Sequence, residues 1–274
     1  MNVNDPLGDR MKGFEGAEAQ RRLMTGLPIL ARLDGKAFHT FTKGLERPFC
    51  KPFHDLMVAT TKYLVEETNA VIGYTQSDEI TLVLWADPAK PKSQTFLDGR
   101  VLKLTSILAS YATAYFNREL PKYLHMKERL AAFDCRVWNV PSETEAVNVL
   151  VWREQDAAKN SILCAAQHHF NHKSIQGLDV NQLQEKLFTE AGVNWGQDYL
   201  PCQKRGTYVR KVPVARSYTV SEIELLPPKH AARSNPDLVV ERSEIRVADM
   251  PILTTIRNRD DVVFRGAEPI TAPG

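Results

Sequence analysis

Cysteine is scarce in this 274-residue sequence, and no two cysteines lie close together. The four are Cys50, Cys135, Cys164 and Cys202. Without a C-x-x-C pair, neither a zinc ribbon nor a disulfide framework is indicated, and buried free thiols are the simpler interpretation. Long hydrophobic runs are also missing, because no window approaches the roughly 20 apolar residues of a membrane helix. The N-terminus carries Asp5 and Asp9 where a signal peptide would be apolar. We therefore expect a cytoplasmic protein without a membrane partner.

A large excess of charge of either sign is absent as well. The sequence has 35 Lys and Arg against 33 Asp and Glu, a formal net charge of +2, which excludes a highly basic coat protein and an acidic tail. Charge is nevertheless unevenly distributed. Residues 199–221 contain five cations, three tyrosines and no acidic residue. This stretch predicts either a local surface for a polyanion or a set of solvated strand charges.

Apolar periodicity in the first half predicts the order strand, helix, strand, strand, helix, strand. This is the split βαβ, or ferredoxin-like, arrangement, in which helices cover one face of a four-stranded antiparallel sheet. We therefore predict an α+β fold, with residues 1–141 as its first domain. The predicted strands are 28–33, 70–74, 80–85 and 133–140, and the predicted helices are 52–67 and 93–117.

The second half has a different character. Ser142 and Glu145 form a capping box, so a helical extension is predicted over residues 142–225, including a basic, strand-like segment at 206–215. Residues 226–274 hold six of the 16 prolines and one aromatic residue. This composition predicts an extended, loosely packed tail that wraps a neighbour.

Two carboxylates stand out from the predicted topology. Asp34 follows the first strand and Asp78 precedes the third, and these strands are antiparallel neighbours in a ferredoxin-like sheet. The two side chains should therefore meet at one end of the sheet. A pair of carboxylates with a backbone carbonyl is a hard oxygen site that suits Mg²⁺ bound to a triphosphate, and two metal ions can assist phosphoryl transfer. The alternative is that both are solvated turn residues.

Two further features point to phosphate chemistry. Gly35 opens the segment 35–39, whose successive backbone N–H groups would form an anion-binding nest. Arg100 and Lys103 lie three residues apart, and therefore on one face of the second predicted helix. Opposite the carboxylate end of the sheet they would neutralise phosphates. An ordinary solvated helix face is the alternative.

Four motifs, taken together, resemble a known family. They are D-P-L-G-D-R-M-K at 5–12, R-L-D-G-K-A-F-H at 32–39, Y-T-Q-S-D-E at 74–79 and F-D-C-R-V at 133–137. In this order and spacing they resemble the tRNA-His guanylyltransferase family and its relatives, the 3′-to-5′ RNA polymerases. The resemblance extends from residue 5 to about residue 215.

The resemblance implies a polymerase-like palm with a helical extension. Asp34 and Asp78 would hold two Mg²⁺ ions, with the carbonyl oxygen of Gly35 as a further ligand. Glu79 would complete the catalytic set by supporting the site. Arg47 stands where the family usually has lysine. The implied nucleotide-binding residues are Arg32, Asp34, Gly35, Lys36, Ala37, Phe38, His39, Arg47, Ser77, Asp78, Arg100 and Lys103.

The resemblance also implies a reaction. ATP would activate the 5′-phosphate of a tRNA, and the 3′-hydroxyl of GTP or another nucleoside triphosphate would then attack it. Homo-oligomers, commonly tetramers, are implied too. Ala158 stands where eukaryotic members carry a histidine after the Trp-Arg-Gln-x-Asp motif, here residues 152–156, which favours templated repair of 5′ ends over strict guanosine addition. The rival hypotheses are a palm-type nucleotide cyclase and a non-catalytic RNA-binding module.

Overall fold

The computed structural model describes residues 5–89, 93–126 and 129–271. Its centre is a six-stranded antiparallel sheet with the strand order β4-β1-β3-β2-β5-β6. The strands are β1 (Ile29–Gly35), β2 (Ile72–Gln76), β3 (Glu79–Leu84), β4 (Phe133–Asn139), β5 (Thr207–Ser217) and β6 (Val239–Ala248).

Twelve α-helices occur in the described ranges, and none of them is long and apolar enough to cross a membrane. Two short 3₁₀ turns lie at Phe96–Gly99 and Leu253–Thr255. The helices are α1 (Pro6–Ala19), α2 (Phe38–Phe41), α3 (Lys51–Thr68), α4 (Val101–Tyr123), α5 (Glu143–His169), α6 (His172–Ile175), α7 (Val180–Ala191), α8 (Trp195–Asp198), α9 (Pro201–Arg205), α10 (Val220–Leu225), α11 (Ala231–Ser234) and α12 (Arg259–Arg265).

The first four strands have the ferredoxin-like order β4-β1-β3-β2, so the predicted fold class is confirmed. Helices α3 and α4 pack on one face of this sheet, where Leu56, Leu104 and Leu108 are fully buried against Leu33. The predicted helix 93–117 begins later, at Val101. The reason is that Leu97 and Asp98 adopt left-handed backbone angles, with φ of 50° and 55°.

The opposite face of the sheet is covered by α5, the first helix after β4. Ser142 Oγ accepts the N–H of Glu145 at 3.1 Å, which is one of the two bonds of the predicted capping box; Glu145 Oε1 instead accepts from Asn148 at 3.1 Å. Successive strand residues alternate between the two faces. Leu30 on β1 therefore packs with Val147 and Leu150 of α5, while the next residues on this face are Arg32 and Asp34. This face changes from apolar to charged along β1.

The second half of α5 continues beyond the sheet and forms a small core of its own. Ile162 and Ala165 pack there with Leu183 and Leu187 of α7 and with Trp195 of α8. This cluster is the predicted helical extension, and α9 leads from it into β5. The extension is therefore next to the end of the sheet where β1 ends and β3 begins.

The prediction of a loosely packed C-terminal tail was wrong. Strand β6 pairs with β5 over ten residues, from Val239 opposite Ser217 to Ala248 opposite Tyr208. Beyond it, Leu253, Val262 and Val263 are fully or almost fully buried against α5. Charged residues fall on both faces of β6, so the apolar alternation that marks a strand is missing from its sequence.

Candidate active site

Asp34 and Asp78 meet where β1 ends and β3 begins. Asp34 lies opposite Glu79 in the sheet register, and the N–H of Gly35 donates to the carbonyl oxygen of Asp78 at 3.2 Å. A two-residue turn, Ser77 and Asp78, joins β2 to β3, with Ser77 at a left-handed φ of 52°. Its hydroxyl lies 3.1 Å from the Asp78 carboxylate. The topology therefore places the two aspartates together, as expected from the sequence.

The electrostatics of this pair favour a cation. Burial is the main cause that raises the pKa of Asp78, and the negative charge of Asp34 raises it further, against the lowering effect of local hydrogen bonds. Among the residues that the structure describes, no three His, Cys, Asp or Glu side chains are arranged to hold a metal ion. Two carboxylates are the usual protein share of a Mg²⁺ site that is completed by phosphates and water, so this donor set fits Mg²⁺.

Glu79, the neighbour of this pair, is bound to arginine. Arg153 on α5 donates through Nε to Glu79 Oε1 at 2.6 Å, and Arg32 Nε lies 4.0 Å from Glu79 Oε2. Burial raises the pKa of Glu79, and the two arginines partly offset that rise. With both oxygens facing guanidinium groups, Glu79 is placed to orient the β1 and β3 ends rather than to ligate a metal.

Arg153 is a site residue for which the sequence suggested no role. Its side chain is 8% exposed, and besides Glu79 it binds Asp156 Oδ2 at 2.8 Å. Asn160 donates to the same Asp156 oxygen at 3.2 Å. The usable signal was the Arg-x-x-Asp spacing on a helix, because residues three apart share a face. This network fastens α5 to the carboxylate end of the sheet.

The loop after β1 differs from the predicted nest. The N–H groups of Gly35 and Lys36 donate within the fold, to Asp78 and to Ala132 at 2.8 Å, so they are not available to an anion. The prediction that all five backbone N–H groups of residues 35–39 are free to bind an anion was therefore wrong for Gly35 and Lys36. Lys36 and His39 remain exposed beside the loop. In the part of the chain that is described, the N–H groups of Ala37, Phe38 and His39 have no backbone partner.

Gly35 has a packing role that the sequence did not reveal. A Cβ added at this position would lie 2.3 Å from the ring of Phe38, well inside contact distance. Phe38 is buried and packs against Phe41 and Phe133, with ring centroids 4.9 and 5.1 Å away. Its ring therefore belongs to the core. Ala37, at a left-handed φ of 56°, turns the chain from β1 into α2.

Arg100 and Lys103 are not at this end of the sheet. The N–H of Phe133, which pairs with Gly35, donates to Thr113 Oγ1 at 3.1 Å. Arg100 precedes Thr113 on α4 by thirteen residues, which is about 20 Å along the helix. The prediction that these two cations face the carboxylates of the same chain was therefore wrong. It failed because α4 begins at the far end of the sheet, after β3.

Arg47 is likewise placed elsewhere. Its side chain hydrogen-bonds Cys164 on α5, and the Cys164 pKa, raised mainly by burial, is partly lowered by this contact. Cys164 follows Arg153 by eleven residues, about 16 Å along the helix. Arg47 thus faces the helical extension, away from the two aspartates.

Most of the basic stretch 199–221 is already partnered. Arg216 makes two bonds of 2.7 Å to Glu222, Arg210 donates to the carbonyl oxygen of Val262, and Lys204 Nζ donates to that of Gly196. Lys211 Nζ also donates to Asn69 Oδ1 at 3.0 Å, so four of the five cations have partners within the fold. The prediction of a local surface for a polyanion was wrong in this respect, because these cations bind one carboxylate and three carbonyl or amide oxygens that lie outside the stretch.

Known proteins share this arrangement. The profile of the tRNAHis guanylyltransferase family matches residues 8–141. The solved structure of a bacterial tRNA(His) guanylyltransferase-like protein in complex with ATP has a TM-score of 0.74 and 33% identity, and the match covers 94% of this chain and 97% of that one. A GTP complex of such a bacterial protein gives a TM-score of 0.70, 31% identity and coverage of 94% and 98%.

A eukaryotic relative is also similar. The tRNA(His) guanylyltransferase of Saccharomyces cerevisiae is 27% identical over 218 residues, which cover 72% of this chain and 89% of the yeast protein. Fold and relatives together define a nucleotidyltransferase built on an antiparallel sheet. The chain belongs to the tRNA-His guanylyltransferase family.

Proposed function

We propose that the protein adds nucleotides to the 5′ end of tRNA in the 3′-to-5′ direction. The observation that carries this proposal is the pairing of Asp34 and Asp78 at one end of β1 and β3. Two adjacent carboxylates are suited to bind Mg²⁺ together with a triphosphate. The solved ATP and GTP complexes of similar bacterial proteins support nucleotides as substrates.

Each residue at this end of the sheet has a role in the proposal. Asp34 and Asp78 would hold the metal ions, and the carbonyl oxygen of Gly35 would be a further ligand. Mg²⁺ bound there would neutralise phosphate charge and lower the pKa of the attacking hydroxyl group. Arg32 and the exposed Lys36 supply positive charge for the triphosphate, and the exposed His39 lies beside them. Glu79, held by Arg153, keeps the ends of the two strands in place.

The proposed reaction has two steps. The 5′-monophosphate of the RNA first displaces pyrophosphate from ATP and becomes adenylylated. The 3′-hydroxyl of the incoming nucleoside triphosphate then attacks this phosphate and displaces AMP, so the added nucleotide keeps its own triphosphate. The chain's part in both steps is to position the reactants and to stabilise developing charge. No covalent bond to the protein is required.

We propose templated repair of truncated tRNA 5′ ends as the main activity. Asn160 of the α5 segment that follows Asp156 is engaged with that carboxylate, and Ala158 offers no side-chain donor. A segment of this kind lacks the means to select a nucleotide without a template, so base pairing with the opposite RNA strand would select it. Cytoplasmic location, a tetrameric assembly and phosphate contacts by Arg47, Arg100 and Lys103 remain predictions. The predicted phosphate contacts of Arg47, Arg100 and Lys103 depend on the predicted assembly, because these three cations lie far from Asp34 within one chain.

The test is an extension assay. Purified protein is incubated with Mg²⁺, ATP, labelled nucleoside triphosphates and a tRNA that lacks its first 5′ nucleotide. We expect the RNA to lengthen by one nucleotide at its 5′ end, and Asp34→Asn and Asp78→Asn each to abolish this. Asp237→Asn is the matched control, because Asp237 is exposed and lies just before Val239, at the end of the β5–β6 ladder where Val239 pairs with Ser217.

Two RNA substrates distinguish templated repair from untemplated addition. Full-length tRNA-His tests untemplated addition, and truncated tRNAs test templated repair. Faster extension of truncated tRNAs is the expected result. RNA that keeps its length with the wild-type protein contradicts the proposal. Turnover of nucleoside triphosphate alone, without RNA, would indicate a cyclase instead.

A further inference from the structure

Trp152 is a large aromatic side chain that remains half exposed beside the candidate site. It lies on α5, next to Arg153, and 50% of its surface is accessible to solvent. Other aromatic residues near this end of the sheet, such as Phe38, Tyr74 and Tyr208, are buried. Large aromatic residues contribute most when they are covered, and the exposed half of this ring is open to a ligand beside the candidate site.

Two guanidinium groups border the Trp152 ring. The Arg153 guanidinium lies 4.4 Å from the centre of the ring and the Arg32 guanidinium 5.6 Å. Both arginines also contact Glu79, which pairs with Asp34 across the β1–β3 ladder. Trp152 is therefore one side-chain contact removed from the catalytic end of the sheet.

The chemistry of this surface fits one kind of partner. An indole face offers stacking to any flat aromatic ring, and the neighbouring guanidinium groups favour a ligand that carries phosphate. A nucleotide combines both properties. A peptide or a lipid does not account for a flat ring flanked by arginines beside a pair of carboxylates that suits Mg²⁺.

We propose that Trp152 is a stacking platform for a nucleobase at the catalytic end of the sheet. The inference rests on the proposed function only in taking nucleotides as the ligands there. The base belongs either to the bound nucleoside triphosphate or to the 5′-terminal nucleotide of the RNA. Both sources present the same flat ring to the indole.

The test compares Trp152→Leu, which removes the ring, with Trp152→Phe, which keeps an aromatic face. Trp85→Leu is the matched control, because Trp85 packs against Phe264 just beyond the far end of β3. Dissociation constants are measured for ATP, GTP, inorganic triphosphate and a 5′-monophosphorylated truncated tRNA. The same tRNA with an abasic 5′-terminal residue completes the set. Urea denaturation checks that each variant is folded.

We expect Trp152→Leu to weaken binding of the base-bearing ligand at least about fivefold, the lower end for one stacked base. Trp152→Phe should keep most of the affinity, and Trp85→Leu should keep all of it. A weaker affinity for ATP and GTP assigns the base to the nucleoside triphosphate. If Trp152→Leu weakens binding of the intact tRNA but not of the abasic tRNA, the stacked base belongs to the RNA.

Three results would overturn the stacking platform. They are unchanged affinity for every ligand, equal losses for Trp152→Leu and Trp152→Phe, and an equal loss for inorganic triphosphate, which has no base. The last would show that the change acts through the two arginines. These measurements need no turnover. A stacking effect in a protein that does not extend RNA would therefore contradict the proposed function alone.

Discussion

Replacing Arg153 with methionine removes the charged partner of Glu79 and keeps a long unbranched side chain. Arg153 and Glu79 are 8% and 15% exposed, and their 2.6 Å bond joins α5 to the start of β3. Removing one member of a buried ion pair costs about 3 to 5 kcal/mol, because the remaining charge is left without compensation. Arg32 stays 4.0 Å from Glu79, so we expect the lower end, about 3 kcal/mol.

The loss should depend on pH in a defined direction. Burial raises the pKa of Glu79 in the folded protein above its ordinary value, so its favourable contribution to folding is present at low pH and lost as the pH rises through the folded pKa. Arg153 counteracts that loss by stabilising the ionised carboxylate. Without it the pKa of Glu79 rises further. The Arg153→Met variant should therefore be most destabilised near about pH 8 and less so near about pH 5.

Urea denaturation at both pH values measures this. A loss of 3 kcal/mol corresponds to a lower urea midpoint by about 1 M at unchanged slope. Arg246→Met is the control, because its pair with Glu244 is largely exposed and should change stability by less than about 0.5 kcal/mol. A loss below about 1 kcal/mol for Arg153→Met, or an equal loss at both pH values, would refute the reasoning.

Two further substitutions test the loop after β1 and the C-terminal segment. Gly35→Ala places a Cβ against the ring of Phe38 and should cost about 1 to 3 kcal/mol in urea denaturation, whereas Gly13→Ala on α1 meets no atom within 4 Å and should cost nothing. An undiminished stability of Gly35→Ala would show that the loop has room for a side chain. Leu253→Ala should cost about 2 to 5 kcal/mol because Leu253 is fully buried, and Leu225→Ala, 88% exposed, should cost less than about 0.5 kcal/mol. Equal effects of the two leucine variants would contradict a structural role for the segment.

The first four strands and their helices were predictable because their signals are local. Apolar runs separated by turn residues identified β1 to β4, and the order of elements then fixed which strand ends are neighbours. Asp34 and Asp78 could be paired on that basis alone. The motifs at residues 32–39 and 74–79 then indicated the family, and the family implied the expected chemistry.

The rest depended on contacts between distant parts of the chain. Arg100 and Lys103 share a helix face, but which end of the sheet they occupy follows from the direction of α4. Glu79 and Arg153 are far apart in the sequence, and no local pattern joins them. Strand β6 escaped notice because its charged residues pair across the β5–β6 ribbon, as Arg216 and Glu244 do at 3.7 Å. From composition alone, such a strand is predicted to be part of an extended, loosely packed tail.

The most direct test of the central claim follows the phosphates of the added nucleotide. Truncated 5′-monophosphorylated tRNA is incubated with unlabelled ATP and with GTP labelled in its γ-phosphate, and the lengthened RNA is isolated. If Asp34 and Asp78 serve 3′-to-5′ addition, the label stays at the new 5′ end, and Asp34→Asn removes it. Lengthened RNA that has lost the γ label would show conventional growth at the 3′ end and would contradict the proposed direction of synthesis.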